Sequence, residues 1–425
     1  MKIAVLGLWH LGCVTAACCA KHFDVTGLDF DPANIDRLRQ GRAPIAEPGL
    51  DELIQAGLAA GRLRFTGVIA EACAAADILW VAYDTPVDDN DQADIESVLR
   101  EVRRCVPALP RGALILLSSQ LPVGTCRLLE GEFGAQGYRF ACSPENLRLG
   151  KAIEIFTKAD RIIAGYRDER AKAQLAELFA PFTSQVVWMR SESAEMTKHA
   201  INSFLALSIT FMNEIARLCE AAGADAKEVE RGLKSESRIG PKAYLSPGGA
   251  FAGGTLARDV VTCTQLGQKY GEALEVIPAI KRSNDGHRQW ALQKIRRLLG
   301  AGTGRRVALL GLTYKPGTNT LRRSSAVELA RALAAAGFEV AASDPSQPPL
   351  PADLAFIRFS AAAADAVAGA DAVVVCTEWP EFRQLDWAAL APRLRRPVIV
   401  DATRFLEKSV ASLPGLQYVT VGSPS

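Results

Sequence analysis

No stretch of the chain approaches the roughly 18 uninterrupted apolar residues that a membrane span requires. The N-terminus MKIAVLGL carries one basic residue, Lys2, and Trp9 and His10 cut short any leader-like core, so no export signal is expected. Neither sign of charge is in excess. Forty-nine Lys and Arg stand against 47 Asp and Glu, a net +2 that removes any broad attraction to nucleic acid or anionic lipid. The ten cysteines, at 13, 18, 19, 73, 105, 126, 142, 219, 263 and 376, lack paired metal-ligand spacing. Without an exported context they are expected to be reduced core thiols, with no disulfide framework and no metal site. The expectation is a cytoplasmic protein with neither a membrane nor a nucleic acid as partner.

What is present is a globular composition: 425 residues and 49% apolar content are enough for two or three packed domains. Residues Lys2 to Leu8 read as a wholly buried parallel strand, Gly12 to Ala20 as a helix, and Asp24 to Asp29 as a second strand ending in an acid. That is a βαβ unit. Apolar runs at Ile78–Ala82, Ala113–Ser118 and Arg161–Ala164 continue the rhythm of a parallel sheet covered by helices.

From Glu192 to Glu220 both proline and glycine are missing. Met196, Ala200, Phe204, Leu207, Phe211, Ile215 and Leu218 then fall on one face of a long helix, which suits a domain connection or a dimer seam. Strands resume at Arg306–Leu312, Phe338–Ser343, Ala372–Cys376 and Pro397–Asp401, with a helix from about Ser325 to Ala336. The fold class expected is α/β, with two Rossmann-like doubly wound parallel-sheet domains joined by a long central helix. The expected boundaries are 1–190 for the first domain, 191–298 for a central helical dimerisation and substrate region, and 299–425 for the second sheet domain.

GLWHLG, Gly7 to Gly12, lies between the first strand and the first helix, where a dinucleotide fold seats its pyrophosphate. Gly7 permits the tight turn and Gly12 permits close helix-to-strand packing, but Trp9 replaces the middle glycine of G-x-G-x-x-G. The truncated motif alone also fits an ordinary strand-to-helix turn. Asp29, at the end of the second strand, strengthens the nucleotide reading. A carboxylate there accepts from ribose hydroxyls and repels a 2′-phosphate, favouring NAD over NADP.

With GRAPIAEPGLDELI, SSQLPVGT, SPENLRLG, KHAIN, RIGP, FAGGTLARD, GLTYKPGTNTLRRSS, CTEWPEF and IVDATR added, the chain resembles the UDP-glucose/GDP-mannose dehydrogenase family from end to end. The resemblance implies NAD-dependent oxidation of a nucleotide-sugar alcohol to a carboxylate in two hydride transfers. It also implies a homodimer built on the long helix and a cysteine that holds the intermediate aldehyde.

Residue by residue, the resemblance implies catalytic roles for Lys198 and Asn202, which share a helix face at i and i+4, and for Asp259 and Glu145. A cation and an amide donor stabilise a developing alkoxide, and a carboxylate takes up a proton or positions water. It implies cofactor contacts at Gly7, Trp9, His10, Leu11, Gly12, Asp29, Thr85, Pro86, Gln120 and Arg322, and substrate contacts at Arg238, Tyr244, Leu245, Gly253 and Lys315. Arg and Lys suit a diphosphate through bidentate and point-charge contacts. Asp344 fits no more than the end of a strand.

The nucleophile itself is missing. Where the family reads F-G-G-S-C-F-x-K-D, this chain has FAGGTLARD, which places Thr255 on the cysteine, Gly254 on the serine and Arg258 on the lysine. A threonine hydroxyl has no ionised fraction comparable to a thiolate's at neutral pH. Gln120 likewise replaces the threonine of S-T-V-P-V-G-T, and Leu149 replaces the second glutamate of P-E-F-L-x-E. Cys142 and Cys263 are the alternative thiols nearest these motifs, each also readable as a buried core residue.

Three readings follow: a single two-electron oxidation of a nucleotide-diphosphate sugar, a four-electron oxidation through a hydrated aldehyde, and a non-catalytic nucleotide-sugar or NAD binder. Retention of Lys198 and Asp259 favours an enzyme.

Overall fold

The computed structural model describes residues 1–88, 91–145, 147–252 and 254–424. The chain forms two compact units, Met1–Ile201 and Asn202–Ser425.

In the first unit eight strands make one sheet: β1 (Lys2–Leu6), β2 (Asp24–Leu28), β3 (Leu63–Thr66), β4 (Ile78–Val81), β5 (Leu114–Leu117), β6 (Arg139–Cys142), β7 (Ile162–Tyr166) and β8 (Val186–Arg190). Their order is β3-β2-β1-β4-β5-β6-β7-β8, parallel except where β7 runs against β6 with Cys142 opposite Gly165. The strands β4 (ILWV) and β5 (LILL) are buried throughout because helices cover both faces of the sheet. The chain order reverses between β1 and β4, and the crevice at their carboxyl ends is where such sheets bind ligands.

The second unit repeats the plan with six strands: β9 (Arg306–Leu310), β10 (Glu339–Ser343), β11 (Arg358–Phe359), β12 (Ala372–Val375), β13 (Val398–Asp401) and β14 (Gln417–Val419). All are parallel, in the order β11-β10-β9-β12-β13-β14. The two sheet domains and the long helix expected from the sequence are therefore present.

That long helix runs uninterrupted from Ser191 to Ala222 across the residue at which the units divide, as its lack of proline and glycine allows. Among the described residues no helix is long and apolar enough to cross a membrane. All ten cysteines are free, and eight of them are buried.

Candidate active site

The turn after β1 is built for close approach. Gly7 has φ +89°, and a Cβ there would press against the Tyr83 ring. A Cβ on Gly12 would collide with the Gly7 carbonyl oxygen. The helix His10–Cys19 then begins with no cap from the Trp9 side chain and no acid of its own in the first turn, and its N-terminus is the dipole end that favours an anion. Trp9, at its N-cap, has φ −96°, so this position does not demand glycine, and its indole is half exposed.

Asp29 is fixed at the tip of β2: its carboxylate accepts from Leu8 N at 2.7 Å and Asp31 N at 3.0 Å. A carboxylate has about four acceptor sites, so capacity for two ribose hydroxyls is left. These residues fit a dinucleotide.

Two side chains at this turn escaped the sequence reading. Asp84, on the loop after β4, brings a carboxylate oxygen to 3.4 Å from Leu11 N, at the same helix N-terminus. Glu47, inside the stretch GRAPIAEPGL, accepts from His10 Nε2 at 2.9 Å, Gly150 N at 2.7 Å and Ala152 N at 2.9 Å. Burial pushes the Glu47 carboxyl up, but these donors outweigh it and hold it below the usual carboxylate range. Glu47 thus ties the nucleotide turn to the end of the SPENLRLG loop. Its only sequence signal was membership of a recognisable stretch.

The remaining candidates of the first unit lie at the carboxyl ends of the strands. Glu145 and Lys198 line one cavity of about 270 Å³, with Ser118 and Ser143 nearby and Trp80 and Phe156 among its apolar walls. Glu145 accepts from Leu147 N at 2.5 Å. The side-chain Nε2 of Gln120 lies 3.4 Å from His199 Nδ1, and the Gln120 backbone carbonyl accepts from Thr85 Oγ1 at 2.9 Å. Pro86 accepts from Asp94 N at 2.8 Å in the same loop region. Cys142 is buried and donates to the Ser191 carbonyl at 3.3 Å.

In the second unit Asn202, one helix turn beyond Lys198, donates through Nδ2 to Asp259, whose side chain is fully buried. Arg258 Nε stands 4.0 Å from the same carboxylate and has no hydrogen-bond partner among the described residues. Thr255 is exposed and opens the helix Thr255–Tyr270, so Asp259 follows it by about one turn. Gly254 precedes it with φ +105°, and a Cβ there would come within 2.9 Å of Arg323 Nη1. Arg323 was another omission, masked in the sequence by its neighbour Arg322.

Cys263 shares the Thr255–Tyr270 helix but is half-buried, and it accepts from Ser203 Oγ at 3.6 Å. Burial pushes its thiol up, away from thiolate.

Other candidates are spread through the second unit. Arg238 is exposed and paired with Glu236 at 2.9 Å, and Tyr244 is exposed. The Leu245 side chain belongs to the hydrophobic core. Lys315 and Arg322 lie on the loop between β9 and the helix Ser325–Ala335. Gly253 lies outside the described residues.

Asp344, at the end of β10, is more than a strand terminus. One carboxylate oxygen accepts from Leu312 N at 2.7 Å, Thr313 N at 3.0 Å, Thr313 Oγ1 at 2.9 Å and Trp379 Nε1 at 3.3 Å. The other accepts from Ser346 N at 2.9 Å and Ser346 Oγ at 2.7 Å.

Comparison with known proteins gives one answer along the chain. Residues 1–183 match the NAD binding domain of the UDP-glucose/GDP-mannose dehydrogenase family, residues 192–286 its central domain and residues 308–408 its UDP binding domain. The UDP-glucose 6-dehydrogenase of Rhizobium meliloti is 34% identical over 439 residues, covering 100% of both chains. That of Pseudomonas aeruginosa is 33% identical, covering 100% of this chain and 98% of its own. Among solved structures, a UDP-glucose dehydrogenase from Pyrobaculum islandicum superposes with a TM-score of 0.87 at 31% identity, covering 99% of this chain and 98% of its own. A UDP-D-ManNAc dehydrogenase from Pyrococcus horikoshii gives 0.86 at 26% identity, covering 99% of each.

Proposed function

The chain belongs to the UDP-glucose/GDP-mannose dehydrogenase family and is an NAD-dependent oxidoreductase of CH–OH groups; from that premise we propose that it oxidises one alcohol carbon of a nucleotide-diphosphate sugar in a single two-electron step. The observation that carries this reading is the exposed Thr255 at the start of its helix, where the family pattern places a nucleophilic cysteine. The two candidate replacement thiols are poorly suited. Cys263 is pushed toward the neutral thiol by burial, and Cys142 is enclosed and engaged with a backbone carbonyl.

Bound NAD supplies the acceptor for the hydride, held by the Gly7–Gly12 turn, the start of the helix His10–Cys19 and Asp29. Lys198 stabilises the alkoxide that develops as the hydroxyl proton leaves and that becomes the carbonyl when hydride departs from the carbinol carbon. Asp259 accepts the hydroxyl proton, with its carboxylate oriented by the Asn202 amide and balanced by the Arg258 guanidinium. Glu145 and Gln120 border the sugar, and Arg238, Tyr244, Gly253, Lys315 and Arg322 serve the nucleotide-sugar and cofactor. The products are a carbonyl compound, one NADH and one proton.

The test is mass spectrometry of the products, with absorbance at the NADH band, for UDP-glucose and then a panel of UDP, GDP and TDP sugars. A product lighter by two hydrogens with one NADH per sugar is expected. A uronic acid with two NADH overturns the single-step reading and favours a hydrated aldehyde as the second hydride donor.

A further inference from the structure

Three buried groups of the first unit converge outside the nucleotide turn. They are Cys126 in the first turn of the helix Thr125–Phe133, Cys142 at the end of β6, and Glu195 in the second turn of the long helix. Both sulfurs and a Glu195 carboxylate oxygen lie within 4.8 Å of one another, and this is the one such cluster among the described residues. We propose that Cys126, Cys142 and Glu195 form a binding site for a thiophilic divalent cation of the zinc and cadmium class, with water as the fourth ligand.

The geometry is close to what such an ion takes. Tetrahedral zinc with Zn–S bonds of about 2.3 Å separates two sulfurs by roughly 3.8 Å, so a modest contraction within the 4.8 Å limit closes the site. Glu195 is already immobilised, accepting from Gly124 N at 2.6 Å and Cys126 N at 2.9 Å. Each oxygen keeps a further lone pair for an ion. A cavity of about 20 Å³ lined by Cys142, Glu195, Lys198 and Gln120 adjoins the cluster. A single water needs about 10–15 Å³, so the fourth ligand has room.

Two thiolates and a carboxylate select a soft or borderline ion over magnesium or calcium. Both cysteines are free, and Cys142 donates its S–H to the Ser191 carbonyl at 3.3 Å. Loading one ion therefore breaks two S–H bonds, forms two metal–sulfur bonds and releases two protons to solvent. The members come from three separate elements, which is why no local cysteine spacing announces them.

Cadmium chloride titrated into the full chain tests the site. The thiolate-to-cadmium charge-transfer band is expected to saturate at one ion per chain, with two protons released per ion in weak buffer. Cys126→Ser with Cys142→Ser should remove both signals. Cys73→Ser with Cys105→Ser, which alters another buried thiol pair, should leave both intact. Glu195→Gln should weaken binding at least tenfold, and circular dichroism checks the fold of each variant. Absence of a saturable band in the unsubstituted chain overturns the proposal whatever the variants do. So does a band that survives in the folded Cys126→Ser, Cys142→Ser chain.

Discussion

At the scale of single residues, Thr255 is the position where a substitution should change the product. The first N–H groups of the helix Thr255–Tyr270 have no side-chain cap, and Arg323 stands beside Gly254. A thiol placed there would be shifted toward thiolate. Thr255→Cys is expected to raise the yield from one NADH per sugar toward two, read by the same product assay. Asp84 makes an opposite kind of prediction. Its carboxylate faces the helix N-terminus where a pyrophosphate would sit, so Asp84→Asn should tighten NAD binding by roughly two- to five-fold in calorimetric titration, the range of an exposed charge at a helix end. Thr255 was legible because FAGGTLARD is distinctive. Asp84 and Arg323 were not, because only folding brings a loop carboxylate to Leu11 or a guanidinium to Gly254.

At the scale of elements, the long helix leaves Phe204, Phe211 and Leu218 exposed at 67%, 44% and 64%, spaced by seven residues. A seven-residue apolar seam is the spacing of helices that pack side by side, and it suits the homodimer that the family resemblance implies. Phe204→Glu with Phe211→Glu should convert a sedimenting dimer into a monomer; a chain that is already monomeric at micromolar concentration overturns the dimer. The helix was legible from end to end, since nothing in it breaks the 3.6-residue period. The central strands were legible because burial on both faces makes them apolar runs. Strands β3 (LRFT), β6 (RFAC), β8 (VVWMR), β11 (RF) and β14 (QYV) were missed, being runs of at most five residues interrupted by a polar or charged side chain, too brief for apolarity or alternation to set them apart. Glu47 was seen as part of a motif, yet its link between His10 and the Gly150 turn emerges only from the fold.

At the scale of the whole molecule, buried carboxylates govern acid stability. Burial raises the Glu47 and Asp344 carboxyls, but the donors around each prevail and leave both below their ordinary values of 4.5 and 3.8. A depressed folded-state pKa means that stabilisation is fully present above the unfolded value and lost as pH falls through the folded one. The urea midpoint is therefore expected to fall steeply between about pH 5 and pH 3, and less steeply in Glu47→Gln, whose side chain no longer titrates. The two sheets share one plan, but their strand-end acids differ in what remains for a ligand. Asp29 engages two backbone donors, whereas Asp344 is enclosed and engages six. A second ribose would find no free lone pair in the later half. Equilibrium dialysis with NAD should accordingly saturate at one molecule per chain, and the duplicated architecture counts once as a dinucleotide holder.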